Sequence, residues 1–152
     1  MPDWSLSSNL GPLGALPTAP SLARGFVSAV LEGWDMTVLH DTAQLITSEL
    51  TTNVVRAATG PDGKPSYDRE GGLPLLWLRL LSDTQRLMIE VWDNLPAVFG
   101  APVVQHADPD DESGRGLEMV DILTDDWGWE KVDGWDGKRV WAVLTLGRDL
   151  AL

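Results

Sequence analysis

The spacing of apolar residues changes once, near residue 72, and that change limits the fold more than any other feature. Before it, Leu39, Ala43, Ile46, Leu50, Val54 and Ala57 recur at steps of three or four. Such steps put them on one stripe of a helix. After it, Leu87, Ile89 and Val91 alternate with Met88, Glu90 and Trp92. That is the period of a strand with one buried face. One chain must therefore lay helices against a sheet.

The other segments follow from the same patterns. Ser21 can cap a helix running to about Glu32, with Leu22, Phe26 and Val30 inward, joined by Ala29 and Leu31 at the margin, and Gly33 stops it. The second helix runs from about Asp41 to Ala58, and Thr59-Gly60-Pro61-Asp62-Gly63 ends it. Leu75 to Leu81 and the Leu87 run read as two strands joined by a turn at Ser82-Asp83-Thr84-Gln85. A long loop from Asn94 to Ser113 leads to a helix over Gly114 to Asp125, with Leu117, Val120 and Leu123 inward. Trp127 to Val132 and Lys138 to Leu146 are two more strands around a Gly134-Trp135-Asp136-Gly137 turn. The expected fold is α+β: a two-layer α/β sandwich, with a mostly antiparallel sheet and helices on one face. Residues 1–20 carry Pro2, Pro12, Pro17 and Pro20 among glycines and serines. They read as an N-terminal arm without regular structure. The alternative is an arm that packs Trp4, Leu6 or Leu10 on the domain or on a second subunit. Residues 21–152 form one domain.

Charge and composition exclude several functions. Lys and Arg number 11 against 23 Asp and Glu, a formal charge of −12. Nucleic-acid phosphates and anionic membranes both call for a basic face. No cysteine is present and only two histidines, so thiol catalysis, thiolate metal sites and His-rich metal sites are out. No apolar run approaches the ~18 residues of a membrane span. The first cation is Arg24, so the start lacks the basic region of a signal peptide, and a cytoplasmic protein is expected.

Three constellations can carry chemistry. Glu49 and Asn53 are four apart and share one helix flank, at the edge of the Leu50/Val54 stripe. A carboxylate there can take a proton from a nucleophile, and an amide oxygen can hold Mg2+. Asp93 closes an apolar strand, where a carboxylate can accept from an exocyclic amine. Ser113-Gly114-Arg115-Gly116-Leu117 opens a helix, where free N–H groups favour an anion. Taken singly, each also has a plainer reading: a solvated helix flank, a turn-capping Asx residue, and glycines that only permit a turn.

Order and spacing bind the three together. From about Ser21 to Leu146 the chain resembles the short bacterial histidine-kinase-like ATPase domains of the anti-sigma-factor serine kinase type. The most specific stretches are Ser48-Glu49-Leu50-Thr51-Thr52-Asn53-Val54-Val55-Arg56 and Glu112-Ser113-Gly114-Arg115-Gly116-Leu117-Glu118-Met119-Val120. Trp127-Gly128-Trp129 and Gly137-Lys138-Arg139-Val140-Trp141 add to them. The resemblance implies the Bergerat, or histidine-kinase-like ATPase, fold. It implies ATP and Mg2+ as ligands, with Glu49 as general base toward an accepting serine and Asn53 as Mg2+ ligand. Asp93 would accept the adenine amine, and Gly114 and Gly116 would be phosphate-loop glycines. Arg115, between them, could pair with phosphate or with a partner carboxylate. Asn94 to Ser113 would be the ATP lid. The implied function is an ATP-binding regulator that phosphorylates a serine on an anti-anti-sigma (STAS-type) antagonist and sequesters a sigma factor. The family tends to dimerise, and the sequence leaves a homodimer open.

Several positions depart from the family pattern, among them Ala57-Ala58, where the family has a histidine before the alanine, and the acidic lid end of Asp108, Asp110, Asp111 and Glu112. Leu95 and Pro96 stand where a glycine-rich run follows the aspartate, and Lys138 and Arg139 where threonines follow the last glycine. They support a second reading: a protein-binding regulator on the same fold, catalytically weak or inactive, with little or no nucleotide affinity. Independently, Trp77, Trp92, Trp129 and Trp141 each lie two positions from a charged residue: Arg79, Glu90, Lys131 and Arg139. If the strand registers agree, all four tryptophans share the sheet face opposite Leu87, Ile89 and Val91. That face would be an interaction surface, or a self-contained Trp/Arg layer covering the sheet.

Overall fold

The computed structural model describes residues 4–60, 62–64, 72–95, 115–134 and 137–147. Strand β1 (Leu6–Gly14) is followed by helix α1 (Ala19–Gly33), a 3-10 turn (Thr37–Leu39) and helix α2 (His40–Ala58). Strands β2 (Leu75–Ser82) and β3 (Arg86–Asp93) form a hairpin. Helix α3 (Arg115–Leu123) leads to β4 (Asp126–Lys131) and β5 (Lys138–Thr145). The five strands form one antiparallel sheet in the order β1-β2-β3-β5-β4. The fold is α+β, as expected. No helix of the described residues is long and apolar enough to cross a membrane.

The period-two residues build one side of the core. Leu76, Leu78 and Leu80 of β2, Leu87, Ile89 and Val91 of β3, and Val140, Ala142 and Leu144 of β5 are buried together. Ala43, Ile46, Leu50 and Val54 of α2 pack on them, as does the 3-10 turn's Leu39. Each such large apolar side chain stabilises the fold by roughly 1.5–3 kcal/mol relative to exposure. Helix α1 lies on α2 and β1, and α3 adds Val120 and Leu123 at the α2 and β4 side. Polar links fix the helix pair. Arg24 Nη1 donates to Ser48 Oγ at 3.2 Å, Gln44 Nε2 to the Arg24 carbonyl at 2.9 Å, and Ser28 Oγ lies 3.2 Å from His40 Nε2.

Three expectations need correcting. The expected arm contains a regular strand: β1 pairs with β2 from Leu6↔Ser82 to Gly14↔Leu75. Its register shifts between Leu10 and Leu13, so Gly11 and Pro12 sit at an irregularity of an edge strand. Edges and irregularities are where a sheet tolerates proline. Leu10 and Leu13 pack against the core, which is what makes this segment a strand. Second, Ser21 does not cap α1. The helix begins earlier, after Thr18, with proline in its first turn, and proline fits there because its missing N–H is an orphan anyway. Third, the buried stripe of α1 is Ala19, Ala23, Val27 and Leu31, while Leu22 is exposed. Small alanines let α1 lie close to its neighbours; of the expected set Leu31 is fully buried, Phe26 and Val30 are partly buried, and Leu22 and Ala29 are exposed.

Candidate functional site

Helix α2 holds Glu49 and Asn53 on one flank, one turn apart. Both are half-buried. Glu49 has no hydrogen-bond or ion-pair partner among the described residues. The Asn53 Nδ2 is buried and has no partner among the described residues. A buried amide donor left unpaired costs about 1–3 kcal/mol, so its presence fits a group that acquires a partner from a ligand. On the opposite side of α2 the Thr47 hydroxyl oxygen is also buried without a partner among the described residues. Thr51, fully buried, donates to the Thr47 carbonyl at 2.7 Å.

Asp93 ends β3 on the helix-facing side of the sheet, in line with Val91, and is fully buried. Its Oδ1 accepts the Leu95 amide at 3.0 Å, an Asx turn that takes the chain out of the strand. Its Oδ2 accepts Lys138 Nζ at 2.6 Å. The register explains that pair, because Asp93 and Lys138 are directly opposed across β3 and β5. The sequence showed Lys138 only as a departure from the family pattern. Its role as counter-ion to a carboxylate 45 positions earlier in the chain required the register. An ionised carboxylate has about four acceptor sites, so two remain beyond these bonds. Asn94 then closes the end of β2. Its Oδ1 accepts the Leu75 amide at 2.8 Å, and its Nδ2 donates to the Leu73 carbonyl at 3.3 Å.

Gly137 completes this corner. A Cβ built on it would stand 1.8 Å from the Asp93 carbonyl oxygen. Only glycine lets the start of β5 approach the end of β3 so closely. Leu95, which stands where the family pattern has a glycine-rich run, is 5 % exposed and belongs to the hydrophobic core. Arg115 and Gly116 open α3. Gly114, Pro96 and lid residues 96–113 lie outside the described residues, as do two of the four positions of the expected Gly134–Gly137 turn. Among the described residues, no group of three or more His, Asp or Glu is placed to hold a metal by itself.

The opposite sheet face is built around Glu90. This carboxylate is fully buried in the middle strand and accepts from the Nε of both Arg79 and Arg139. Arg79 is its cross-strand neighbour on β2 and Trp141 on β5. The Arg139 guanidinium lies 4.6 Å from the Trp141 ring centroid and 5.9 Å from that of Trp92; Arg79 lies 5.7 Å from Trp92. This is a stacked Trp/Arg layer over the centre of the sheet. Trp129 and Lys131 are not in it. Trp129 pairs with Val140 and Lys131 with Lys138, which puts both on the helix-facing side, so their expected place is corrected. The signal for Glu90 was present: a lone carboxylate inside an apolar strand, with arginines on two other strands to meet it. In comparisons with known proteins, no protein-family model matches the chain and no curated protein matches it.

Proposed function

We propose that this chain is an ATP-binding regulator of the anti-sigma-factor serine kinase kind. Its site would lie on the helix-facing side of the sheet, between α2 and the corner where β3 ends and β5 begins. The observation that carries the reading is that corner. Asp93 and Gly137, 44 positions apart, meet in contact there, and they come from the two motifs that this kind of domain uses around its base. The unpartnered Asn53 amide and the unpaired Glu49 supply the remaining chemistry.

Bound nucleotide and Mg2+ would supply the transferable phosphoryl group. Asn53 presents its amide oxygen to the cation, which leaves its unpartnered Nδ2 to donate to a phosphate oxygen. Glu49, held one helical turn away, receives the proton of an incoming serine hydroxyl. Asp93 keeps lone pairs for an exocyclic amine while Lys138 holds the carboxylate in place. Gly114, Arg115 and Gly116 act on the phosphates at the start of α3. The partners are an anti-anti-sigma antagonist that carries the serine and a sigma factor that the regulator sequesters.

One observation favours a second reading. Lys138 and the Leu95 amide already occupy Asp93, and a ligand amine must compete with an ammonium at 2.6 Å. A protein-binding regulator with weak or absent catalysis would keep that pair permanently closed. Calorimetry with Mg-ATP and phosphotransfer to a serine-bearing antagonist separate the two. The first reading expects Glu49→Gln to retain nucleotide binding and lose nearly all transfer. Absence of heat and of any thermal shift at millimolar Mg-ATP would refute it and leave the second.

A further inference from the structure

The Trp/Arg layer does not close over the whole sheet. Toward β1 it leaves a groove of about 370 Å3, lined by Asn9 and Gly11 of β1, Trp77 and Arg79 of β2, and Trp92 of β3. The irregularity of β1 makes one wall. Gly11 has φ +130, and a Cβ there would come within 2.9 Å of the Trp77 ring. The strand thus runs hard against Trp77, which only a residue without a side chain allows. Trp77 and Trp92 are direct cross-strand partners and give the groove an aromatic floor.

Charge distinguishes this groove from the rest of an acidic molecule. Glu90 is shared by two arginines and Glu130 offsets the second of them, so these four side chains are neutral together on an otherwise acidic molecule. Glu130, the other carboxylate near it, reaches only Arg139, at 3.4 Å, and is 60 % exposed on its side chain. Arg79 gives its Nε to Glu90 and is 41 % exposed. Its two terminal nitrogens have no hydrogen-bond partner among the described residues. That pair of N–H groups matches the two oxygens of a carboxylate. An overall charge of −12 disfavours a polyanionic partner, whereas a single anionic group on an apolar body escapes most of that repulsion. The volume stands at the small end of ligand sites.

We propose that this groove is a binding site for a small aromatic carboxylate, with the ring system in the groove against the Trp77 and Trp92 side chains and the carboxylate on the outer edge of Arg79. The site is on the opposite face from Asp93 and Asn53, and it does not depend on the nucleotide reading.

The test uses 2-naphthoate and its neutral isostere 2-naphthamide, titrated into the full chain by calorimetry and by NMR of the indole N–H signals. The expected result is binding of the naphthoate and at least about tenfold weaker binding of the amide, the loss of one charge-assisted hydrogen-bonded pair. Asn9→Glu is the decisive variant. Asn9 is exposed and directly opposite Arg79 across β1 and β2, so the new carboxylate takes the ligand's place without entering the core. It should weaken naphthoate binding by about tenfold or more, with an unchanged thermal midpoint. Arg79→Met should weaken binding as much, but with a lower thermal midpoint, because the buried Glu90 loses one of its two counter-ions. No binding of naphthoate at millimolar concentration, equal binding of acid and amide, or indifference to Asn9→Glu would each overturn the assignment.

Discussion

Replacing Glu90 by glutamine tests the central feature of the solvent-side face. The substitution keeps the volume and removes the charge. Two guanidinium groups then face each other with no carboxylate between them. Their environments differ: the Arg139 side chain is 15 % exposed and that of Arg79 41 %. Breaking a buried pair costs about 3–5 kcal/mol, while a pair with good access to water is worth at most about 1 kcal/mol. Arg139 retains Glu130 at 3.4 Å and the Trp141 ring at 4.6 Å, which softens its share. The expected total is about 3 kcal/mol, at the low end of the buried range. For a chain of this length each kcal/mol moves the thermal midpoint by roughly 2–4 °C, so a fall of about 6–12 °C is expected. Circular dichroism, with urea titration at low and high salt, reads it. Most of the loss should survive high salt, because screening acts mainly on exposed pairs. Arg139→Met should cost more than Arg79→Met. A fall under about 2 °C, or the reverse order of the two arginines, would refute the view that Glu90 is an interior charge held by two counter-ions.

Two further perturbations address other parts of the molecule. Gly137→Ala puts a methyl 1.8 Å from the Asp93 carbonyl, so the β3/β5 corner must open; urea unfolding should show a loss above about 2 kcal/mol, and a smaller loss would mean that the corner is soft. Burial pushes the Asp83 carboxyl up, but the Arg86 and Gln85 amides and the Arg86 guanidinium together hold it below its ordinary value of 3.8. Its contribution to stability is therefore complete above that value and fades as pH falls through the lower folded-state value. The stability gap between wild type and Asp83→Asn, under about 1 kcal/mol for a turn near the surface, should be present at neutral pH and shrink in acid, and a gap that grows on acidification would reverse the sign argued here.

The sheet, its hairpin and the helix carrying Glu49 and Asn53 were legible in the sequence because each depends on local periodicity. The α2 stripe, the β2–β3 turn and the inward residues Val120 and Leu123 of α3 stand where the apolar spacing put them. The α1 stripe was only partly legible: Leu31 stands inward as expected, but Ala19, Ala23 and Val27 were passed over for Leu22, Phe26 and Val30, although close helix packing selects small residues. Strand β1 was missed because local preference was the wrong guide: proline and glycine weaken an isolated strand, but an edge position beside β2 needs only one row of hydrogen bonds and two packed leucines.

The sequence by itself determined what each segment could become and which chemical groups the chain has to spend. It set the helices, the alternating strands and the acidic excess, and it singled out Asp93 and Lys138 as residues to explain. Tertiary structure alone decided which of these groups meet. Strand register pairs Asp93 with Lys138, sets Glu90 between Arg79 and Arg139, and moves Trp129 to the other side of the sheet. The reason is geometric: side-chain direction alternates along every strand, so one residue of register decides which face a side chain joins, and register is a property of pairs of strands rather than of either one.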